Sequence, residues 1–271
     1  MAKRLITGLI LAPLIVLVVL YAPKPVFFTL LTLAAAQGID ELVRMFPEMR
    51  RQDRVILAAL AALLTVETAI LGKLGLYLGV GVLPIIWISL CLLRPGTVED
   101  GARRAGTGLL GLSYVATLVA VVAVIFVRQD QPPGSPFDTG RGATLGLLII
   151  VFCGDTGAYF AGRALGKHKL YELISPKKTL EGAIGGLLAS ILGGWITMRL
   201  LLPQLGLLEA LLLGATCGAV GQIGDLAESL FKRATGTKDS GGLLPGHGGI
   251  LDRLDGVLFA APVLLLWLIL R

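Results

Sequence analysis

Charge is scarce in this chain: Asp, Glu, Lys and Arg make up 15% of its 271 residues, against roughly a quarter in soluble globular proteins. With 55% hydrophobic residues and a mean hydropathy of +0.83, that shortage excludes a soluble domain and implies a polytopic membrane protein. Cysteine is scarcer still. Cys91, Cys153 and Cys217 all lie in apolar stretches, where thiols pack as small hydrophobes, so neither a disulfide framework nor a zinc site is indicated. A convincing small-residue cleavage site is also missing after the apolar run Leu5 to Leu20, so that run reads as a retained first helix, not a removed signal. The net charge of +6 is explained by its distribution between loops, and no nucleic-acid partner is expected.

What the chain does have is hydrocarbon length. Crossing about 30 Å of hydrocarbon takes about 20 helical residues, and such segments fall near 4–22, 25–43, 55–72, 74–93, 105–127, 142–166, 180–202, 206–233 and 254–270. The expected fold is all-α: a polytopic integral membrane helix bundle of about nine transmembrane helices. Pro23, Pro25, Gly72, Gly75, Pro95, Gly96 and Pro203 mark breaks between them. With the N-terminus cytoplasmic, eighteen of the 24 Lys and Arg fall in inner loops and six, Lys24, Lys73, Arg128, Arg141, Arg199 and Arg271, lie outside, a clear positive-inside bias. Residues 1–140 then hold roughly five helices, and residues 141–271 form a C-terminal transmembrane catalytic region. Gly214, Gly218, Gly221 and Gly224, like Gly182, Gly186, Ala189 and Gly193, line single helix faces. They are expected to let helices of one chain approach closely.

Between two apolar stretches lies a polar segment, Ser229 to Asp255, reading S-L-F-K-R-A-T-G-T-K-D-S-G-G-L-L-P-G-H-G-G-I-L-D-R-L-D. Charge beside a bilayer is costly enough to signal function. In the helix that leads in, Asp225, Glu228, Ser229 and Lys232 stand at i, i+3, i+4 and i+7 and share a face; Asp252 and Asp255 share another at the start of the last helix. Two acidic faces joined by a flexible loop converge on one cation in this reading. Hard carboxylate oxygens suit Mg²⁺, while Lys232, Arg233, Lys238, Arg253 and the amides of the Gly241-Gly242 and Gly248-Gly249 turns suit phosphate oxygens. That combination points to metal-assisted phosphoryl or nucleotidyl transfer. The plainer alternative is that Lys232, Arg233 and Arg253 anchor helix ends at headgroups and pair with the aspartates. His247 is the more functional of the two histidines because its glycine neighbours admit a ligand; His168 reads as a solvated loop residue. Asp40, Glu41 and Glu67 read as interfacial or paired acids.

A second polar cluster accompanies the first. Gly154-Asp155-Thr156-Gly157-Ala158-Tyr159 sets a carboxylate within a span, expected to face protein or water. Ser175-Pro176-Lys177-Lys178-Thr179 reads as an N-cap followed by Pro at the first helical position, which would place Lys177 and Lys178 where a helix dipole favours an anion. The alternative for that lysine pair is a patch for acidic headgroups.

The segment S-x-x-K-R, then K-D, then P-G-H-G-G-I-L-D-R-L-D resembles the signature of the phosphatidate cytidylyltransferase (CDP-diacylglycerol synthase) family. G-D-T-G-A-Y at 154–159, S-P-K-K-T at 175–179 and G-D-L-A-E-S at 224–229 resemble it too, so the likeness covers the C-terminal half, while residues 1–140 match only in being hydrophobic. The resemblance implies a Mg²⁺-dependent homodimer in a bacterial-type inner (plasma) membrane. It would join CTP to phosphatidate on the cytoplasmic side, releasing pyrophosphate. It further implies Asp225 and Asp252 as metal ligands. Lys178, Lys232, Arg233, Lys238 and His247 would neutralise phosphates, and Asp155, Lys177, Ser229, Asp239, Gly248, Gly249, Arg253 and Asp255 would orient substrate. A second cation such as K⁺ sharing the carboxylates is left open. The competing readings are a CTP-dependent transferase for another lipid phosphate or a polyprenol, and an ion-coupled transporter using Asp155, Asp225 and Glu67. The glycine-rich segment has no second copy, unlike the repeated halves of transporters. The D-G-x-x-A-R motif of CDP-alcohol phosphotransferases is lacking.

Overall fold

The computed structural model describes residues 13–94, 96–131, 133–243 and 248–270. It is a polytopic all-α protein. Residues 13–21 are helical (α1), followed by α2 (Lys24–Val43), α3 (Arg51–Leu71), α4 (Lys73–Leu92), α5 (Val98–Gly111), a π-helical stretch (Leu112–Thr117), α6 (Leu118–Val127), α7 (Thr139–Leu165), α8 (Leu180–Leu200), α9 (Leu207–Ala234) and α10 (Leu251–Leu270). Eight spans among the described residues are long and apolar enough to cross a membrane, α5 through α6 counting as one. These match eight of the nine expected segments, seven of them to within about four residues and one beginning seven residues early, at Val98; about half of the first segment lies outside the described residues.

The chain forms two compact units: one contains Ala22–Val127 and Thr235–Arg253, the other Leu14–Tyr21, Arg128–Ala234 and Leu254–Arg271. Helix α10 gives its first turn to the first unit and the remainder to the second.

In the first unit, Ile39, Leu42, Leu57, Leu64, Trp87 and Ile125 are fully buried, and Phe27 stacks on Phe126 with centroids 3.6 Å apart. Trp87 and Asp53, polar groups that enter this core, find partners. Trp87 Nε1 donates to the Arg104 and Ala105 carbonyls, and the buried Asp53 pairs with Arg94 while accepting from the Arg50 amide.

In the second unit, α7, α8 and α9 pack through the small-residue faces expected from sequence, and they do so within the chain. Ser190 sits between the three helices and donates to the Ile150 carbonyl at 3.0 Å. A Cβ on Gly214 would come within 2.5 Å of the Ser190 carbonyl oxygen. Backbones approach this closely only where one residue has no side chain, the usual device in lipid.

The sequence reading fails between α7 and α8. Ser175–Thr179 is not the start of a helix but strand β2, paired antiparallel with β1 (Lys169–Tyr171) through Lys169↔Thr179 and Tyr171↔Ser175. Pro176 fits an edge strand as well as a helix start, and the cap role falls to Thr179, whose hydroxyl accepts from the Gly182 amide at 3.1 Å. Lys177 and Lys178 therefore precede the helix end and owe their directions to strand alternation.

Candidate active site

That alternation separates the two lysines. Lys177 is exposed, whereas Lys178 Nζ reaches Asp225 Oδ2 on α9 at 2.5 Å. Their side chains are 27% and 37% exposed, so the ion pair stands where an incoming anion can reach it. One turn along α9, the fully buried Glu228 pairs with Lys232 Nζ at 3.2 Å. Asp255 on α10 lies within hydrogen-bonding reach of Glu228 and close enough to Asp225 to feel its charge. Three carboxylates thus gather with two ammonium groups in the second unit. Burying such charges is costly unless they are mutually compensated, and Lys178 and Lys232 compensate Asp225 and Glu228.

Other expected residues of this unit are placed less centrally. Arg233 is exposed, and its Nε donates to the Ile174 carbonyl at 3.2 Å, tying the end of α9 to the turn between β1 and β2. Ser229 is half-buried on the same helix, and Asp155 is exposed on α7. His168 is exposed, as expected, with Nδ1 2.7 Å from Glu181 Oε1.

The first unit holds the remainder of the signature. Asp252 Oδ2 accepts from the Ser240 amide at 3.1 Å, the Ser240 hydroxyl at 2.9 Å and the Gly249 amide at 2.7 Å. Gly248 has φ +81°, and a Cβ there would stand 2.5 Å from that same oxygen. The glycine turn expected to offer its amides to phosphate therefore closes around a carboxylate, with the Gly249 amide committed to it. Lys238 and Asp239 are exposed in the loop and Arg253 is exposed on the first turn of α10. His247 lies outside the described residues.

Three residues of these clusters, Ser240, Glu228 and Glu41, were not assigned a site role from sequence. Glu228 shares the Asp225 stripe at i+3, and that spacing is the signal that points to it. Glu41 read as an interfacial acid, yet it is fully buried, and its Oε2 accepts from the Leu251 amide at 3.0 Å.

No group of three His, Cys, Asp or Glu is arranged as a metal cage among the described residues. Mg²⁺ does not require one, since it typically takes one or two carboxylates and completes its shell with phosphate and water. Carboxylate oxygens such as those of Asp225 and of Asp252 are of the hard type that Mg²⁺ takes.

Comparison with known proteins agrees with these motifs. The cytidylyltransferase family pattern matches residues 2–270. A phosphatidate cytidylyltransferase of Pseudomonas aeruginosa is 36% identical over 276 residues, covering 98% of this chain and 96% of that one. Enzymes of the same name from Staphylococcus epidermidis RP62A and Staphylococcus aureus COL are 50% identical over 122 residues and 49% over 125. Those two alignments cover 45% of this chain and about half, 47%, of the staphylococcal relatives. With the match running almost end to end, the chain belongs to the cytidylyltransferase family.

Proposed function

We propose that this protein transfers the cytidylyl group of CTP to phosphatidate, giving CDP-diacylglycerol and pyrophosphate, at the cytoplasmic face of a bacterial-type inner membrane. The observation that carries the reading is near-full-length similarity to a protein of that name in a chain whose S-P-K-K-T and G-D-L-A-E-S segments meet at the Lys178–Asp225 pair. The positive-inside distribution supports the cytoplasmic face. The family resemblance supports a homodimer.

In the reaction, a phosphatidate phosphate oxygen attacks the α-phosphorus of CTP, a new P–O bond forms, and the bond to the β-phosphate oxygen breaks to release pyrophosphate. No covalent enzyme intermediate is required. Catalysis is chiefly positioning and charge neutralisation. Before substrate arrives, Lys178 and Asp225 neutralise one another. An entering phosphate takes over the Lys178 donors, and the Asp225 carboxylate is then available as a ligand. Lys232 and Lys238 offset further phosphate charge, and Asp252 is held by the Ser240 and Gly249 donors. The proposed ligands of Mg²⁺ are the carboxylates of Asp225 and Asp252, and the ion would supply charge neutralisation on the phosphates; a second cation such as K⁺ is compatible with the surplus of carboxylates.

Purified protein in detergent, given CTP, Mg²⁺ and either phosphatidate or a polyprenyl phosphate, should release pyrophosphate only with phosphatidate. Excess EDTA should reduce that rate to background. Equal turnover on the isoprenoid phosphate would overturn the substrate assignment, and no turnover on either would overturn the reaction.

Lys178→Ala is expected to act mainly on binding. Losing one charge-assisted contact to phosphate, worth about 1.5–3 kcal/mol, should raise KM for CTP or phosphatidate by tenfold or more, with a smaller change in kcat. An unchanged KM for both substrates removes Lys178 from the site.

A further inference from the structure

The C-terminal end of α2, far from the signature in sequence, holds the signature loop at several points. Glu41 Oε2 accepts from the Leu251 amide at 3.0 Å and lies 3.3 Å from the Ser240 hydroxyl, while Gln37 Nε2 donates to Glu41 Oε1 at 3.0 Å. Arg44 Nη2 donates to the Ser240 carbonyl at 3.2 Å, and the Thr237 hydroxyl rests on Met45 Sδ. Ser240, itself 3% exposed, thus stands between two acids: its hydroxyl is 2.9 Å from Asp252 Oδ2 and 3.3 Å from Glu41 Oε2. The loop glycines close on the same acid. A Cβ on Gly241 would come 2.5 Å from Glu41 Oε1, and one on Gly249 would overlap Glu41 Oε2 and Ser240 Oγ.

A fully buried carboxylate is retained only when its hydrogen bonds are made. Apart from the Gln37 amide on its own helix, the partners of Glu41 are the loop backbone and the one side chain that also grips Asp252. We propose that Glu41 is a positioning residue for cytidylyl transfer: through Ser240 and the Leu251 amide it sets where the Asp252 carboxylate stands. The inference rests on Asp252 being a working acid of the site. It makes α2 part of the catalytic apparatus, acting on geometry without touching substrate.

The test uses the full-length protein in detergent with Glu41→Ala, Glu41→Gln, Ser240→Ala and Asp252→Asn, each checked for monodispersity. Displacing a reacting group by about 1 Å costs on the order of 10²-fold in rate. Glu41→Ala should therefore lower kcat about 100-fold and raise the Mg²⁺ concentration at half-maximal rate, leaving KM for phosphatidate within about twofold. Glu41→Gln keeps an acceptor for the Leu251 amide and should recover most of the lost kcat. Hydrogen exchange of peptides covering 239–252 should quicken at least tenfold in Glu41→Ala. Ser240→Ala, which leaves Glu41 in place, should also raise the Mg²⁺ requirement.

The inference is overturned if folded Glu41→Ala keeps wild-type kcat and Mg²⁺ response. It is equally overturned if Glu41→Gln, folded, loses as much kcat as Glu41→Ala. Should Glu41→Ala not fold, Ser240→Ala decides, and a wild-type Mg²⁺ response there sinks the proposal. Asp252→Asn separates the two layers. If it remains active, the assignment of Asp252 is wrong; if it is inactive while the Glu41 and Ser240 variants are normal, only the positioning role fails.

Discussion

Asp225→Ala is expected to lower cytidylyl transfer about 10³-fold while the protein remains inserted and folded. The loss is twofold in origin. A carboxylate expected to carry a cation at the phosphates disappears, and Lys178 is left without the partner that sits 2.5 Å away. Preorganised charge stabilisation of this kind is typically worth 10²–10³ per group, near 4 kcal/mol at the upper end. Folding should tolerate the change because the Asp225 side chain is 37% exposed and Lys178 27%, so neither charge is sealed from water. The measurement is the initial rate of CDP-diacylglycerol formation at saturating CTP and Mg²⁺, beside a thermal melt in the same detergent. Near-normal transfer by Asp225→Ala would show that the α9 acid is not part of the chemistry, whatever the similarity of the chain to its relatives.

Gly214→Val is expected to have the largest effect on stability. The Cβ of any side chain there would lie 2.5 Å from the Ser190 carbonyl oxygen and 2.8 Å from the Ile191 Cα. Both are backbone atoms, which cannot rotate away as the end of a side chain would. Overpacking a tight interior costs about 1–3 kcal/mol, occasionally more. Because the strain falls on two helix backbones, about 3 kcal/mol is the reasonable figure, which lowers the melting temperature by roughly 6–12 °C in a chain of this size. A melt within 2 °C of wild type would mean that α8 and α9 do not meet closely at this point. Gly242→Ala is the contrast, since nothing lies within 4 Å of a Cβ there, and it should melt as wild type.

The spans were legible because a membrane helix announces itself by length and hydropathy alone, both local properties. Their packing was legible for a related reason: Gly214, Gly218, Gly221 and Gly224 recur on one face, and only close helix approach gives that pattern a use. The hairpin was not legible. Ser175-Pro176 and Thr179 each satisfy the local rules for a helix start, and strand pairing with Lys169–Tyr171 decides between them. The beginning of α5 at Val98 was missed because V-E-D-G-A-R-R lacks the apolar run by which a span is recognised, while Thr97 caps it through the Asp100 amide.

The site divides in the same way. The α9 stripe follows from i, i+3, i+4 and i+7 spacing, and that geometry brings Glu228 with it. Lys178 and Asp225 are 47 positions apart, and their pairing follows from tertiary structure. Glu41 lay furthest from reach. Its surroundings, I-D-E-L-V-R, look like the polar end of any helix, and its partners come 199 and 210 positions later. No local pattern reports a contact of that range.

That separation also bears on how the protein is made. During synthesis Glu41 emerges 199 residues before Ser240, a lag of roughly 10–40 s at ordinary elongation speeds. Throughout that interval Gln37 on the same helix can serve one carboxylate oxygen of Glu41, while the other, which later accepts from the Leu251 amide, must stay hydrated. Consolidation of α2 is therefore tied to the arrival of a loop made 199 residues later.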